Sequence, residues 1–395
     1  MMTEEGSDST WLANTKSIIL EEKSKGGSVN IRGHGSKGFY GNPVNCASRK
    51  LSTKGYSGIV DYQPSELVVV AKSGTDLTTL ENLLKKNNQF LNFEPPRLKN
   101  NLAGREGGAL RGTVGGMVAS GLSGPGRFFF GACRDSVLGV SMLNGEGEVL
   151  SFGGTVIKNV AGYDISRVQV GALGGLGLIL TVSLRVFPRP RKECSLAVSV
   201  NYEEATEAIS ILKKLALPIS ATLMTNFSED NLFKNDILYL RLSGSEYSVD
   251  DGLNKIREKF QNVCVLEELT AEKLWVSFRD QELNFFRQDL IDGQSIWRLS
   301  VPFGTKLQIF DKYPQIIEWG GALRWIKFDE DPVWVRTVIK KTGGHATLYR
   351  ASDILKTEYG AFSPLSETLK NIHINLKKEM DPNNLFNRGR LYDFF

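Results

Sequence analysis

Apolar positions near the start of the chain change period along its length. Trp11 to Lys25 has helical spacing, with Asp8, Ser9 or Thr10 available as cap. Val29 to Ile31 predicts a short strand that runs into Arg32-Gly-His-Gly-Ser-Lys-Gly38. Leu67 to Ala71 is a continuous apolar run, the pattern of a buried strand. Thr75 is placed to cap the next helix, whose apolar face is Leu77, Leu80, Leu83 and Leu84. Helix, strand, loop, strand and helix predict a small α/β unit with one glycine-rich loop after its first strand.

Farther on, Val137 to Leu143 and Glu148 to Phe152 flank Asn144-Gly-Glu-Gly147, a hairpin pattern. Val168 to Val170 and Leu178 to Val186 predict further strands of an antiparallel sheet. Pro188 and Pro190 mark a boundary. Beyond it, Leu196 to Val200, Glu203 to Leu215, Ala221 to Asn226, Ile237 to Leu242, Val249 to Phe260 and Val263 to Leu266 read strand, helix, strand, strand, helix, strand. That order predicts a ferredoxin-like antiparallel sheet with helices on one face. Ile296 to Val301, Leu323 to Ile326 and Ala346 to Tyr349 are further strands, and Asp331 to Lys341 and Glu367 to Met380 further helices. The expected fold class is α+β. A two-part domain spans 1–190 (the small α/β unit plus an antiparallel sheet unit), and a ferredoxin-like α+β cap domain spans 191–350. A C-terminal helix and tail, 351–395, return to the first domain.

Composition narrows the function classes. The 395 residues carry 48 Lys and Arg against 44 Asp and Glu, with no basic block of the kind that nucleic acid requires. The cysteines at 46, 133, 194 and 264 form no Cys-x-x-Cys pair, so neither a zinc nor an iron–sulfur site is readable. The acidic, polar start is unlike a signal peptide, and no apolar run is long enough to span a bilayer. A reduced cytoplasmic setting is expected, with any peripheral contact to the inner face of a membrane made through partners.

Glycine supplies the chemical clue. The stretch from Gly104 to Gly177 holds 20 of the 40 glycines. Consecutive N–H groups in glycine-rich loops make anion-binding concavities. Arg32 to Gly38 and Thr113 to Gly124 could therefore cradle a diphosphate from two sides, or serve as turns in a β-rich region. The first loop lacks the Gly-Lys-Ser/Thr ending of a P-loop. Gly171 to Gly177 precedes a strand, and its spacing is not that of a Rossmann dinucleotide site.

Arg32-Gly-His-Gly-Ser36, Glu94-Pro-Pro96, Thr113-Val-Gly-Gly116, Gly121-Leu-Ser-Gly-Pro125, Arg134-Asp-Ser-Val-Leu-Gly139 and Gly171 to Gly177 follow in that order. The series resembles the FAD-binding fold of the vanillyl-alcohol oxidase and p-cresol methylhydroxylase (PCMH-type) family. Lys158 to Asp164, Phe187 to Pro190, Trp319-Gly-Gly-Ala-Leu-Arg-Trp325, Gly343-Gly-His-Ala-Thr347 and Leu385-Phe-Asn-x-Gly-Arg390 are similar to the FAD-binding subunits of bacterial glycolate oxidases. The resemblance implies that Arg32, Gly33, His34, Gly35 and Ser36 lie along the FAD diphosphate. It implies that Thr113, Val114, Gly115, Gly116, Gly121, Ser123 and Gly124 pass beside the diphosphate and ribityl chain. Arg134 and Asp135 would help close the site, and Gly171, Gly177 and Ile179 would lie near the adenosine. Covalent members carry a histidine where Ser36 stands, so the implied FAD is non-covalent. His34 could contact the flavin or simply bind a backbone carbonyl. Two departures stand out: Asn387-Arg388-Gly389 replaces the usual Asn-Pro-Gly, and Lys99 to Leu110 is a longer link.

The resemblance further implies oxidation of glycolate to glyoxylate in a multi-subunit complex, with electrons leaving through an iron–sulfur partner. A sister FAD-containing subunit would share or perform the substrate chemistry. This chain has three histidines, 34, 345 and 373, and nothing like the histidine-rich metal segment of related catalytic subunits, so no metal site is expected. His345 is the candidate base, Arg298 and Arg324 could meet a carboxylate, and Tyr163 and Asp164 resemble residues near the flavin ring. A stand-alone FAD oxidase of another hydroxy acid or a sugar alcohol, and a non-catalytic scaffold, are the alternatives.

Overall fold

The computed structural model describes residues 4–99, 112–156, 163–229, 234–287, 290 and 293–395. The long link predicted at Lys99 to Leu110 lies, past Lys99, outside the described residues. Helix α1 (Glu4–Ser24) packs Ile19 into an apolar cluster with Val29, Leu51 and Phe386, and Trp11 stacks on Tyr56. Strand β1 (Val29–Arg32) pairs in parallel with β2 (Arg49–Ser52), a strand whose polar sequence gives no period to read. The tail joins them through a parallel bridge from Val29 to Phe386.

The central layer of this half is a five-stranded antiparallel sheet. Its strands are β3 (Ile59–Gln63), β4 (Val68–Lys72), β5 (Val137–Leu143), β6 (Val149–Gly153) and β7 (Leu178–Arg185), in the order β3-β4-β7-β5-β6. The second strand predicted for the α/β unit is therefore β4, and it belongs to this sheet. Val69 and Ala71 of β4 meet Leu77, Leu80 and Leu84 of α2 (Leu77–Lys86) in one core. Each of those buried leucines contributes roughly 1.5–3 kcal/mol. Thr75 does not cap α2. The N-cap is Asp76, and the Thr75 hydroxyl bonds both the N–H and the carbonyl of Gly58. Val168 is helical rather than extended, because the Asp164 carboxylate caps a short turn over Ile165–Val168.

A larger departure concerns Thr113 to Gly124. Val114–Ser120 is a helix, α3, capped by the Thr113 hydroxyl and closed by Gly121 at φ +61°. Two glycines lower its intrinsic propensity, so sequence pattern reads it as a loop. Tertiary bonds compensate: Val114 N–H donates to the Thr75 carbonyl and Gly115 N–H to that of Ser73. A Cβ on Gly115 would stand 2.7 Å from that of Ser73, so glycine there permits close packing.

The second half is an eight-stranded antiparallel sheet of β8 (Lys192–Ser199), β9 (Ile219–Thr225), β10 (Ile237–Gly244), β11 (Val263–Val265), β12 (Ser295–Ser300), β13 (Gln315–Glu318), β14 (Leu323–Phe328) and β15 (His345–Arg350). The order is β11-β8-β10-β9-β13-β14-β12-β15. Each run of four has the ferredoxin-like order, and the two runs join where β9 meets β13. Helices α4 (Ala205–Lys214) and α5 (Glu246–Lys259) cover the first run. Helix α6 (Glu268–Arg279), which the sequence pattern does not announce, packs Leu274, Trp275 and Phe278 on the opposite face with Leu223, Trp319 and Trp325. Helix α7 (Pro332–Lys341) covers the second run on the same side as α4 and α5. The inner face, where α6 lies, meets the glycine-rich half. Arg241 of β10 reaches across to form a bidentate pair with Glu94, at 2.8 and 3.0 Å.

The C-terminal helix α8 spans Glu367–Met380. Its Lys377 ammonium donates to the carbonyls of Gly175 and Phe386 and pairs with Asp381. The tail is thus locked onto the first half.

Candidate functional site

Two clefts border the glycine-rich half. The first, open to solvent, lies over the loop that follows β1. Gly35 sits at φ +74°, and a Cβ there would meet nothing within 4 Å. The backbone N–H groups of Gly35, Ser36 and Lys37 donate to no described residue. Arg32, Lys37 and Arg390 line the cleft with Gly116, Ser120 and Asn387.

The cations have distinct settings. The Lys37 ammonium makes no hydrogen bond or ion pair with the described residues, and burial pushes it down to about 8, with Asp280 and Cys133 acting in the opposite direction. Arg390 donates to the carbonyls of Lys37 and Tyr40, shaping the loop from beneath. Burial first, then Arg32, pushes its guanidinium down to about 10. Asn387 holds the far side: its side-chain oxygen accepts from Ile31 N–H, and its amide donates to the Leu173 carbonyl. The Asn-Arg-Gly departure thus keeps an asparagine that ties tail, first loop and Gly171–Gly177 turn together. Cations and free N–H groups converging on one open space fit a diphosphate.

The second cleft, narrower than the first, lies between the inner face of the large sheet, α6, and the segment Leu122 to Pro125. Tyr40, Leu122 and Leu173 pack in one cluster with Tyr349 between the two clefts. Arg298 of β12 lies between two indoles, 5.1 Å from the Trp319 ring centre and 5.8 Å from that of Trp325. Its guanidinium lines the cleft and makes no hydrogen bond or ion pair with the described residues. Glu318 of β13 is buried and accepts from the Trp325 indole N–H at 2.8 Å. Burial pushes its carboxyl up to about 8, against the opposing pull of that hydrogen bond, Arg298 and Arg127. The Tyr349 hydroxyl and the Gln281 amide are hydrogen bonded at 2.8 Å.

The residues singled out in sequence divide between these places and elsewhere. Arg32, Gly33, His34, Gly35, Ser36, Thr113 and Gly116 line the first cleft, and His34 Nε2 lies 2.9 Å from an Asp76 oxygen. Ser123 and Gly124 line the second. Val114 is buried, and Gly115 packs against Ser73. Gly121 abuts Gly171, and a Cβ on Gly177 would overlap Met142. Ile179 is a core residue of β7. Arg134 and Asp135 are exposed on the short helix Cys133–Ser136.

Arg324 is buried on the helix-covered face and donates to the Thr305 carbonyl, because neighbours along a strand alternate in facing. Arg298, its counterpart in the sequence, faces the cleft. His345 is exposed at the first position of β15. Tyr163 is 89% exposed, and Lys158 to Gly162 lies outside the described residues. Glu318, Gln281 and Tyr349 carry no motif that marks them in the sequence, whereas Lys37 and Arg390 lie within the stretches Arg32 to Gly38 and Leu385 to Arg390 without being singled out. Lys37 sits within the glycine loop, between Ser36 and Gly38, and its position there is the signal that marks it. Among the described residues no group of three or more His, Cys, Asp or Glu comes together as a metal site.

A family model described as an FAD binding domain matches residues 15–153. Fold and first cleft together define an FAD-dependent flavoprotein of the PCMH-like class. Glycolate oxidase subunit GlcE of Escherichia coli (strain K12) is 38% identical over 362 residues, 92% of either chain. The chain belongs to the family of that protein. Glycolate oxidase subunit GlcD of Bacillus subtilis (strain 168) is 32% identical over 99 residues, 25% of this chain and 21% of that one. Among solved structures, 4-ethylphenol oxidase from Gulosibacter chungangensis superposes with a TM-score of 0.65 at 15% identity, covering 96% of this chain and 87% of the other, a likeness of fold.

Proposed function

We propose that this chain is the GlcE-type, FAD-binding subunit of a glycolate oxidase, working beside a GlcD-like flavoprotein subunit and an iron–sulfur subunit in the cytoplasm. The observation that carries the reading is the first cleft, where three cations and a run of free N–H groups face one space. Arg32, Lys37 and Arg390 would hold the FAD diphosphate, with Gly35 to Lys37 donating from the backbone. Gly116 would leave room beside it: a Cβ there would meet only the Thr113 hydroxyl, at 3.2 Å. Bound there, FAD would supply a two-electron acceptor for the oxidation of glycolate to glyoxylate. Ser36 at the covalent position supports a reversible, non-covalent complex. The corresponding domain division is 1–190 for the FAD part, 191–350 for the cap and 351–395 for the returning tail. Lys377 and Asn387, which bond into the first part, support that assignment of the tail.

Purification of the chain tests this directly. The preparation is expected to be yellow, and acid precipitation to release its flavin into the supernatant. A colourless preparation that takes up no added FAD would contradict the proposal. Co-purification from the source cell is expected to bring a second flavoprotein and an iron–sulfur protein.

A further inference from the structure

The second cleft contains an arginine with no anion. Arg298 is flanked by two indoles, and no carboxylate of the described residues pairs with it. A weakly hydrated guanidinium stacks readily on aromatic faces while its edge N–H groups stay available for bidentate contact with a carboxylate. The groups around it are also those of a ligand site. Glu318, Gln281 and Tyr349 place three more polar side chains on the lining, while Leu122 and Phe286 supply apolar surface.

We propose that this cleft is a carboxylate site of the chain itself, in which Arg298 takes the carboxylate of a small 2-hydroxy acid and Glu318 the hydroxyl. The assignment rests on the flavoprotein reading above, because its position next to the Leu122–Pro125 segment gives a hydroxy acid a purpose there. It adds a substrate-recognition role to a subunit whose histidine content suggests only cofactor binding. Arg324 and His345 lie outside this arrangement.

Charge sets the direction of the pH effect. The groups acting on Glu318 are Arg298 from β12, the Trp325 N–H from β14, Arg127 from the short helix Arg127–Phe130, and Glu94 from the loop after β4 and α2. While Glu318 is neutral it donates to an anionic ligand; once ionised it repels one. Affinity for a carboxylate is therefore expected to be level below about pH 8 and to fall above it.

The test is titration of the flavin-loaded chain with oxalate, a two-carbon carboxylate that cannot be oxidised as a hydroxy acid, followed by calorimetry and tryptophan emission. Saturable binding that perturbs the emission is expected. Arg298→Met should weaken it about tenfold or more, and Arg298→Lys should restore part of the loss. Glu318→Gln should bind oxalate but lose the fall above pH 8. Flavin absorbance of each variant, read in the same cuvette, reports the cofactor site separately, so loss of flavin and loss of oxalate binding are distinguishable. Wild-type protein that holds flavin but shows no saturable oxalate binding would overturn the proposal. So would Arg298→Met protein with unchanged affinity, or Glu318→Gln protein with an unchanged pH profile.

Discussion

The cleft over the Arg32 loop combines backbone N–H groups with three cationic side chains, and the cleft beneath the large sheet is made from side chains. In the first, Gly35 at positive φ opens the loop, and adjacent N–H groups face outward. In the second, Arg298, Glu318, Gln281 and Tyr349 come from four segments that meet only when the sheet and α6 assemble. The first needs the Arg32 loop to meet α3 and the returning tail, which bring Gly116, Ser120, Asn387 and Arg390 to it. The second needs the two halves to dock. A cofactor with a diphosphate suits the first design, because peptide N–H groups and cations read charge and little else. Choosing among small acids suits the second, because shape and side-chain chemistry discriminate.

Breaking the dock should have the largest effect. Arg241→Met leaves the Glu94 carboxylate, mostly shielded from water, without its bidentate partner, at a cost of about 3–5 kcal/mol. Glu94 also accepts from Gly126 N–H, next to the wall of the second cleft. Thermal denaturation should show a large drop in midpoint, with oxalate binding impaired in what remains folded. An unchanged midpoint would mean that the halves are not held together there.

A mutation in the loop should produce the opposite pattern. Gly35→Val places a β-branched side chain at φ +74° and puts its atoms into the first cleft. Backbone strain of roughly 1–3 kcal/mol and the steric block together should weaken FAD binding about 100-fold. Flavin fluorescence during titration measures this, while oxalate binding to the protein saturated with excess FAD should survive.

The same contrast explains what could be read from sequence. The strands from β8 to β12, the hairpin of β5 and β6, and the loop Arg32 to Ser36 are each encoded locally, by period or by glycine. Strand β13 is invisible there because its Gln315 and Glu318 are polar yet buried, so no alternation marks its faces. Helix α3 is hidden by its two glycines, and the packing partner of Gly115, Ser73, stands far earlier in the chain. Arg298 and Arg324 look equivalent in sequence, each beside a tryptophan. Only the facing of their strands, β12 and β14, separates the cleft residue from the one beneath the helices. Lys37 and Arg390 meet because the tail returns; a return of 351–395 is expected from the sequence, but the meeting of these two residues is not.

Lys37 offers the most direct measurement. Its ammonium is assigned to the negative charge of FAD, and in the free protein burial has already brought it down to about 8. An anionic ligand favours the protonated lysine, so FAD affinity should be level below about pH 8 and decline as pH rises above it. FAD titration of wild type and Lys37→Met across pH 6 to 10, on the order of one pH unit per step, reads both quantities. Binding to Lys37→Met should be about tenfold weaker at neutral pH, and the decline should be lost. Equal affinities with identical pH profiles would contradict the assignment of the first cleft to the FAD diphosphate.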